Sequence, residues 1–212
     1  MKKQLLIMTI ISISFLTAAP RVAQALTPHN AQAIENKQCA LRQAMRKLWT
    51  DHVVWTRDYI IAAIAGTPDA QAASVRLLKN QEDIGNAIAG YYGAPAGAQL
   101  TGLLKEHILV AVDLINAAKA NDQVKFNAVN AKWKLNGQQI ADFLAAANPN
   151  WPQATMRQMM DMHLTTTIAE VTARLQKKYD EEVRAYDLVY DHILAMSDAL
   201  SDGIIKQFPN KF

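Results

Sequence analysis

The sequence predicts an all-α fold, a six-helix up-and-down bundle built from three helical hairpins of about 55 residues. Three observations carry that prediction. His52, Asn80, His107, Asn136, His163 and His192 recur at intervals of 27 to 29 residues. The closest copies lie 56 residues apart, where Asn80, Ile84, Ile88, Leu103, Leu104 and His107 answer to Asn136, Ile140, Leu144, Met159, Met160 and His163. Turn signals fall between the repeated positions, and no run alternates apolar and polar residues as a half-buried strand would. Each repeated side chain therefore sits near the middle of a helix, and antiparallel packing brings all six to one height.

Taken in order, residues 1–25 have the layout of a secretory signal. Lys2 and Lys3 precede an apolar run from Leu5 to Ala19, and Ala23-Gln24-Ala25 offers a small-residue cleavage site. The run is shorter than the ~20 residues a spanning helix needs and is broken by Pro20 and Arg21, so stable membrane insertion after cleavage is not expected. The expected location is the periplasm or the extracellular space. Residues 26–36 are polar and read as a flexible arm. Residues 37–212 form one helical-bundle domain.

Helix one is expected over 37–65, stopped by Gly66-Thr67-Pro68-Asp69, and helix two over 70–89, closed by a loop across 90–97. Helix three covers 98–118. Asp122 is placed to cap helix four, which runs to 147. Asn148-Pro149-Asn150-Trp151-Pro152 is the strongest breaker in the chain, and helix five follows it to about 178. The last turn contains neither Gly nor Pro, so helices five and six are expected to join there by a turn or a kink. Helix six ends near 203–207, before Pro209.

The chain has 22 Lys and Arg against 19 Asp and Glu, and all of the excess lies in residues 1–25. A near-neutral remainder with mixed charges leaves no footprint for nucleic acid. Cys39 is the single cysteine, so stability comes from the core. Its expected role is a small side chain packed in helix one, with a Cys39-linked dimer as the alternative.

Around His107 and His192 the positions four before, four after and seven after are Leu103, Ala111, Leu114 and Leu188, Met196, Ala199. These apolar sets point both rings inward. Asp83 lies three residues after Asn80 and so on nearly the same face. Gly85 costs a helix ~1 kcal/mol relative to Ala, which implies close packing or binding there. Two readings of the layer follow. In one it binds a transition-metal ion (zinc, copper or iron suit imidazole) or a small ligand. His52, Asp83, His107, His163 and His192 are then the metal ligands, and Asn80, Asn136 and Arg57 contact a bound ligand. In the other the protein is a structural or protein-interaction module whose polar layer only fixes helix packing. No catalytic motif is found: the chain has no glycine-rich phosphate loop, no Gly-x-Ser-x-Gly and no His-Glu-x-x-His.

Four stretches carry a resemblance: Leu48-Trp49-Thr50-Asp51-His52-Val53-Val54-Trp55-Thr56-Arg57, Asn80-Gln81-Glu82-Asp83-Ile84-Gly85-Asn86, Ala146-Ala147-Asn148-Pro149-Asn150-Trp151, and the ending Gly203-Ile204-Ile205-Lys206-Gln207-Phe208-Pro209. In these the chain resembles a family of small exported bacterial helical proteins. The resemblance implies export and a helical fold, and it supplies no activity.

Overall fold

The structure, a computed structural model, describes residues 28–212, with side chains from Gln32 onward. The expected signal segment lies outside the described residues. Six helices follow one another: α1 (Pro28–Ala65), α2 (Ala70–Tyr92), α3 (Ala94–Lys119), α4 (Gln123–Ala147), α5 (Gln153–Leu175) and α6 (Tyr179–Gln207). A 3-10 turn over Pro209–Lys211 ends the chain, and there is no strand among the described residues. Each helix packs on its neighbours in sequence, and α6 packs on α1. The ring is therefore closed, a bundle and not an open solenoid.

Local chemistry sets the turns. Gly66 at φ 75° ends α1, and Asp122 accepts from the Lys125 backbone N–H at 2.9 Å to cap α4. Between α2 and α3 the loop expected over 90–97 shrinks to Gly93 alone, because its φ of 88° reverses the chain in one step and Pro95 is tolerated in the first helical turn. α5 stops at Leu175 and not near residue 178, because Lys177 adopts φ 58°. α1 starts at Pro28 and so takes in most of the stretch expected to be an arm.

The core has one large cluster and two smaller ones. Side chains from all six helices, among them Trp49, Ile84, Leu100, Ile140, Met156 and Leu200, fill one end together with Trp151 from the turn between α4 and α5. Tyr59, Ile60, Ile115 and Val171 fill part of the other, with Leu114, Trp133 and Leu164 beside them. His52, His107 and His163 lie along their helices where the large cluster gives way to the small ones. Gly85 is explained by close packing: a Cβ there would meet Thr101 Oγ1 at 1.9 Å and the Gly97 carbonyl at 2.7 Å. Cys39 is exposed and does not pack into the core, which corrects the expectation from composition.

Candidate functional site: a buried imidazole core

The three even helices carry Asn80, Asn136 and His192, and these do one job. Asn80 Nδ2 donates to the Leu48 carbonyl at 2.9 Å, Asn136 Nδ2 to the Leu103 carbonyl at 3.1 Å, and His192 Nε2 to the Met159 carbonyl at 2.8 Å. Leu48, Leu103 and Met159 are each four residues before the histidine of the preceding helix. In an α-helix that carbonyl already accepts the histidine's own N–H, and its second lone pair is free. The even-helix side chain takes that lone pair and ties the two helices of each hairpin at mid-height.

The odd helices carry His52, His107 and His163, and these do something else. Their rings converge in the interior. His163 lies between the other two, its ring centre 5.6 Å from that of His52 and 6.0 Å from that of His107. Asn136 fixes the proton on His107: its amide donates to Leu103, so its Oδ1 faces His107 Nδ1 as acceptor at 2.8 Å, and Nδ1 carries the hydrogen. The Nε2 lone pair of His107 is then free. Trp133 stacks on the same ring at 5.1 Å and donates from Nε1 to the His107 carbonyl at 3.1 Å, which holds the ring plane.

On His52 the amide contact is of a different kind. Gln81 Nε2 approaches His52 Nδ1 at 3.3 Å while donating to the Leu77 carbonyl at 2.8 Å. Its two hydrogens face three acceptors, the Leu77 carbonyl, Asn80 Oδ1 at 3.2 Å and His52 Nδ1, so His52 Nδ1 is at most a shared acceptor and no bond fixes its proton as Asn136 fixes that of His107. His107 Nε2 and His163 Nδ1 are buried with no hydrogen-bond partner. All three rings line one cavity of ≈ 20 Å³, with Thr56, Thr167 and Trp133 among the other walls. That is room for about one water-sized guest. Burial pushes His52 down to about 3 and His107 to about 4, and pushes His163 well below the ordinary histidine value, so the three rings are neutral near pH 7.

Other residues expected at the site are elsewhere. Asp83 is engaged by Lys79 Nζ on its own helix and lies 3.9 Å from Arg76 Nη1, on the rim of the bundle and away from the imidazoles. His192 is half-buried, and its Nε2 is used on Met159. Arg57 is held by two buried carboxylates, with Nη1 3.0 Å from Glu170 Oε1 and Nη2 2.8 Å from Glu182 Oε1, and its guanidinium lies 4.4 Å over the Tyr186 ring. It is not free to take an anionic ligand. Asn80 and Asn136 are buried in the layer as expected, and both amides are spent on protein groups. Among the described residues no group of three or more His, Cys, Asp or Glu side chains is arranged to hold a metal ion.

Four contributors escape a reading by period. Gln81, one residue after Asn80, is the partner of His52; Trp133, three before Asn136, shares its face and reaches His107. Glu170 and Glu182 form a buried ionic centre with Arg57 and Arg174, whose Nη1 is 3.1 Å from Glu182 Oε2. Burial, with Glu182 sharing the same guanidinium, pushes the Glu170 carboxyl up to about 7 although Arg57 opposes the rise.

The fold and the site together define a class: a closed all-α bundle with an uncharged imidazole core. No family model, curated protein or solved structure matches the chain.

Proposed function

We propose that the protein is an exported helical-bundle binding protein that takes up a single transition-metal ion in its histidine core. One observation carries the reading. Two neutral imidazoles, 2% and 4% exposed, each present a buried nitrogen with no partner, and both rings line the same small cavity. Leaving such atoms unpaired costs ~1–3 kcal/mol each, and a metal ion gives both a partner. The cavity volume favours an ion over an organic ligand, which needs hundreds of Å³.

The test is metal analysis of untagged protein offered zinc, copper and iron. Stoichiometric retention that is lost in His107→Ala and His163→Ala supports the reading. Absence of retention for every metal overturns it.

A second reading, a structural or protein-interaction module, is favoured by the three side-chain bonds to Leu48, Leu103 and Met159. They tie each hairpin without any guest. On this reading no metal is retained and the layer contributes to stability alone.

A further inference from the structure

We infer that the ion is monovalent and two-coordinate, a soft closed-shell d10 cation of the class of Cu(I) and Ag(I), bound by His107 Nε2 and His163 Nδ1 alone. The inference rests on the metal-binding reading and narrows it in three ways.

The first is the supply of lone pairs. A metal ligand must offer an unprotonated nitrogen. Asn136 keeps the proton of His107 on Nδ1 and so exposes Nε2, while His52 Nδ1 is turned to the Gln81 amide nitrogen at 3.3 Å and away from the other two rings. His192 donates from Nε2 to the Met159 carbonyl, and its ring is not among those lining the cavity. Among the imidazoles that line the cavity, the buried nitrogens without a hydrogen-bond partner are His107 Nε2 and His163 Nδ1.

The second is separation. With a metal–nitrogen distance of ~2.0 Å and a further ~1.1 Å to the ring centre, two imidazoles on one ion have centres ~5 Å apart at a tetrahedral angle and ~6 Å apart towards linearity. The His107 and His163 centres are 6.0 Å apart. That spacing, between rings inclined at 26°, is wider than the tetrahedral value and leaves room for an ion held at an open angle, the preference of a d10 monovalent cation. No third carboxylate, thiolate or imidazole is arranged to complete a set among the described residues.

The third is charge. No carboxylate reaches the layer: Asp83 is on the rim with Lys79, and Glu170 is bonded to Arg57, seven residues and so ~10 Å along the helix from His163. The cost of burying an ion scales with the square of its charge, so a divalent cation here costs about four times what a monovalent one does, with no anion to offset it. The surroundings are apolar and aromatic, with Trp133 stacked on one ligand ring and Leu114 and Ile108 in the cavity wall. A soft, weakly hydrated cation suits such walls.

The probe is Ag(I), which is stable to redox change, offered to the full chain carrying Cys39→Ser so that the exposed thiol does not capture it. It is offered both to the folded protein and during refolding from urea, which removes any dependence on entry through the closed bundle. Nitrogen-15 NMR of the imidazoles reads the ligating atoms directly. The expected result is one bound Ag(I), with His107 Nε2 and His163 Nδ1 shifted, His107 Nδ1 still protonated and His52 unchanged. His163→Phe keeps a ring between His52 and His107 and should weaken binding on the order of a hundredfold, and Asn136→Ala by roughly 10- to 100-fold through loss of ring orientation.

If Zn(II) binds stoichiometrically and Ag(I) does not, or if His52 also shifts, the two-coordinate monovalent site is overturned while metal binding stands. If neither ion binds under either condition, both fall, and the cavity is the place of a bridging water.

Discussion

Asn136→Ala tests the device on which the imidazole core depends. The Asn136 side chain is 2% exposed and makes two bonds, accepting from His107 Nδ1 at 2.8 Å and donating to the Leu103 carbonyl at 3.1 Å. Truncation removes both, at ~0.5–1.5 kcal/mol each. The Leu103 carbonyl keeps its helical partner, so its loss adds little. The His107 Nδ1 hydrogen keeps nothing, and a stranded buried donor costs ~1–3 kcal/mol. The sum is a destabilisation of ~2–4 kcal/mol, which for a domain of this size lowers Tm by roughly 5–15 °C. Reversible urea unfolding followed by far-UV circular dichroism measures it. In a cycle with His107→Leu the two substitutions should couple by at least ~1 kcal/mol, because the donor that the first one strands is absent in the second background. A loss below ~0.5 kcal/mol, or additive substitutions, would refute the assignment of the His107 proton to Nδ1.

Gly203→Ala sets a Cβ 1.9 Å from Trp151 Nε1 and displaces the indole from the Ala199 carbonyl it donates to at 3.2 Å; thermal melting should show a loss of ~1–3 kcal/mol or more. Arg57→Ala leaves Glu170 and Glu182 buried together, and the expected cost of ~3–5 kcal/mol in urea should be partly restored by adding Glu170→Gln and Glu182→Gln. Glu170 has a folded pKa raised from 4.5 to about 7, so its contribution is present below 4.5 and lost as pH rises through 7. Glu170→Gln should therefore gain stability relative to the parent by ~1–3 kcal/mol between about pH 5 and pH 8. The parent-minus-variant comparison is needed because His52 and His107, with folded values lowered to about 3 and 4, act with the opposite sign and lose stability as pH falls from 6.5 towards those values. His192→Asn places at the sixth repeat position the residue found at the second and fourth. It should keep the bond to Met159 and change Tm by less than His192→Leu does, which removes the donor.

The fold was legible because its two signals are independent of tertiary detail. A period of 27 to 29 residues and turn chemistry between the repeats define six helices, and short connections leave each one beside its predecessor. What period cannot resolve is which of two adjacent amides faces a given ring. Asn80 and Gln81 differ by ~100° around the helix, and both are buried; Asn80 reaches back to Leu48 while Gln81 meets His52. Asp83 illustrates the converse. Its offset of three residues leaves it ~60° from Asn80, enough for Lys79 and Arg76 to hold it at the rim. Glu182 was hidden for another reason. It stands in an acidic first turn that looks solvated in sequence, and only the tight turn at Lys177 brings that end of α6 back onto Arg57 and Arg174.

The repeat itself separates two tasks that one polar layer could have shared. At the even positions Asn, Asn and His differ in shape and acid–base character, yet each does the same thing, donating one hydrogen to a carbonyl of the preceding helix. A task met equally well by an amide or an imidazole asks only for a donor, and packing explains it. At the odd positions the residue is histidine in all three hairpins, and two of those rings keep a buried nitrogen unpaired. Hairpin packing alone does not require that, since an apolar side chain of similar volume would avoid the desolvation cost. The hairpin ties therefore account for Asn80, Asn136 and His192 and do not account for His107 and His163, which is why the response of those two nitrogens to a d10 cation separates the binding reading from the structural one.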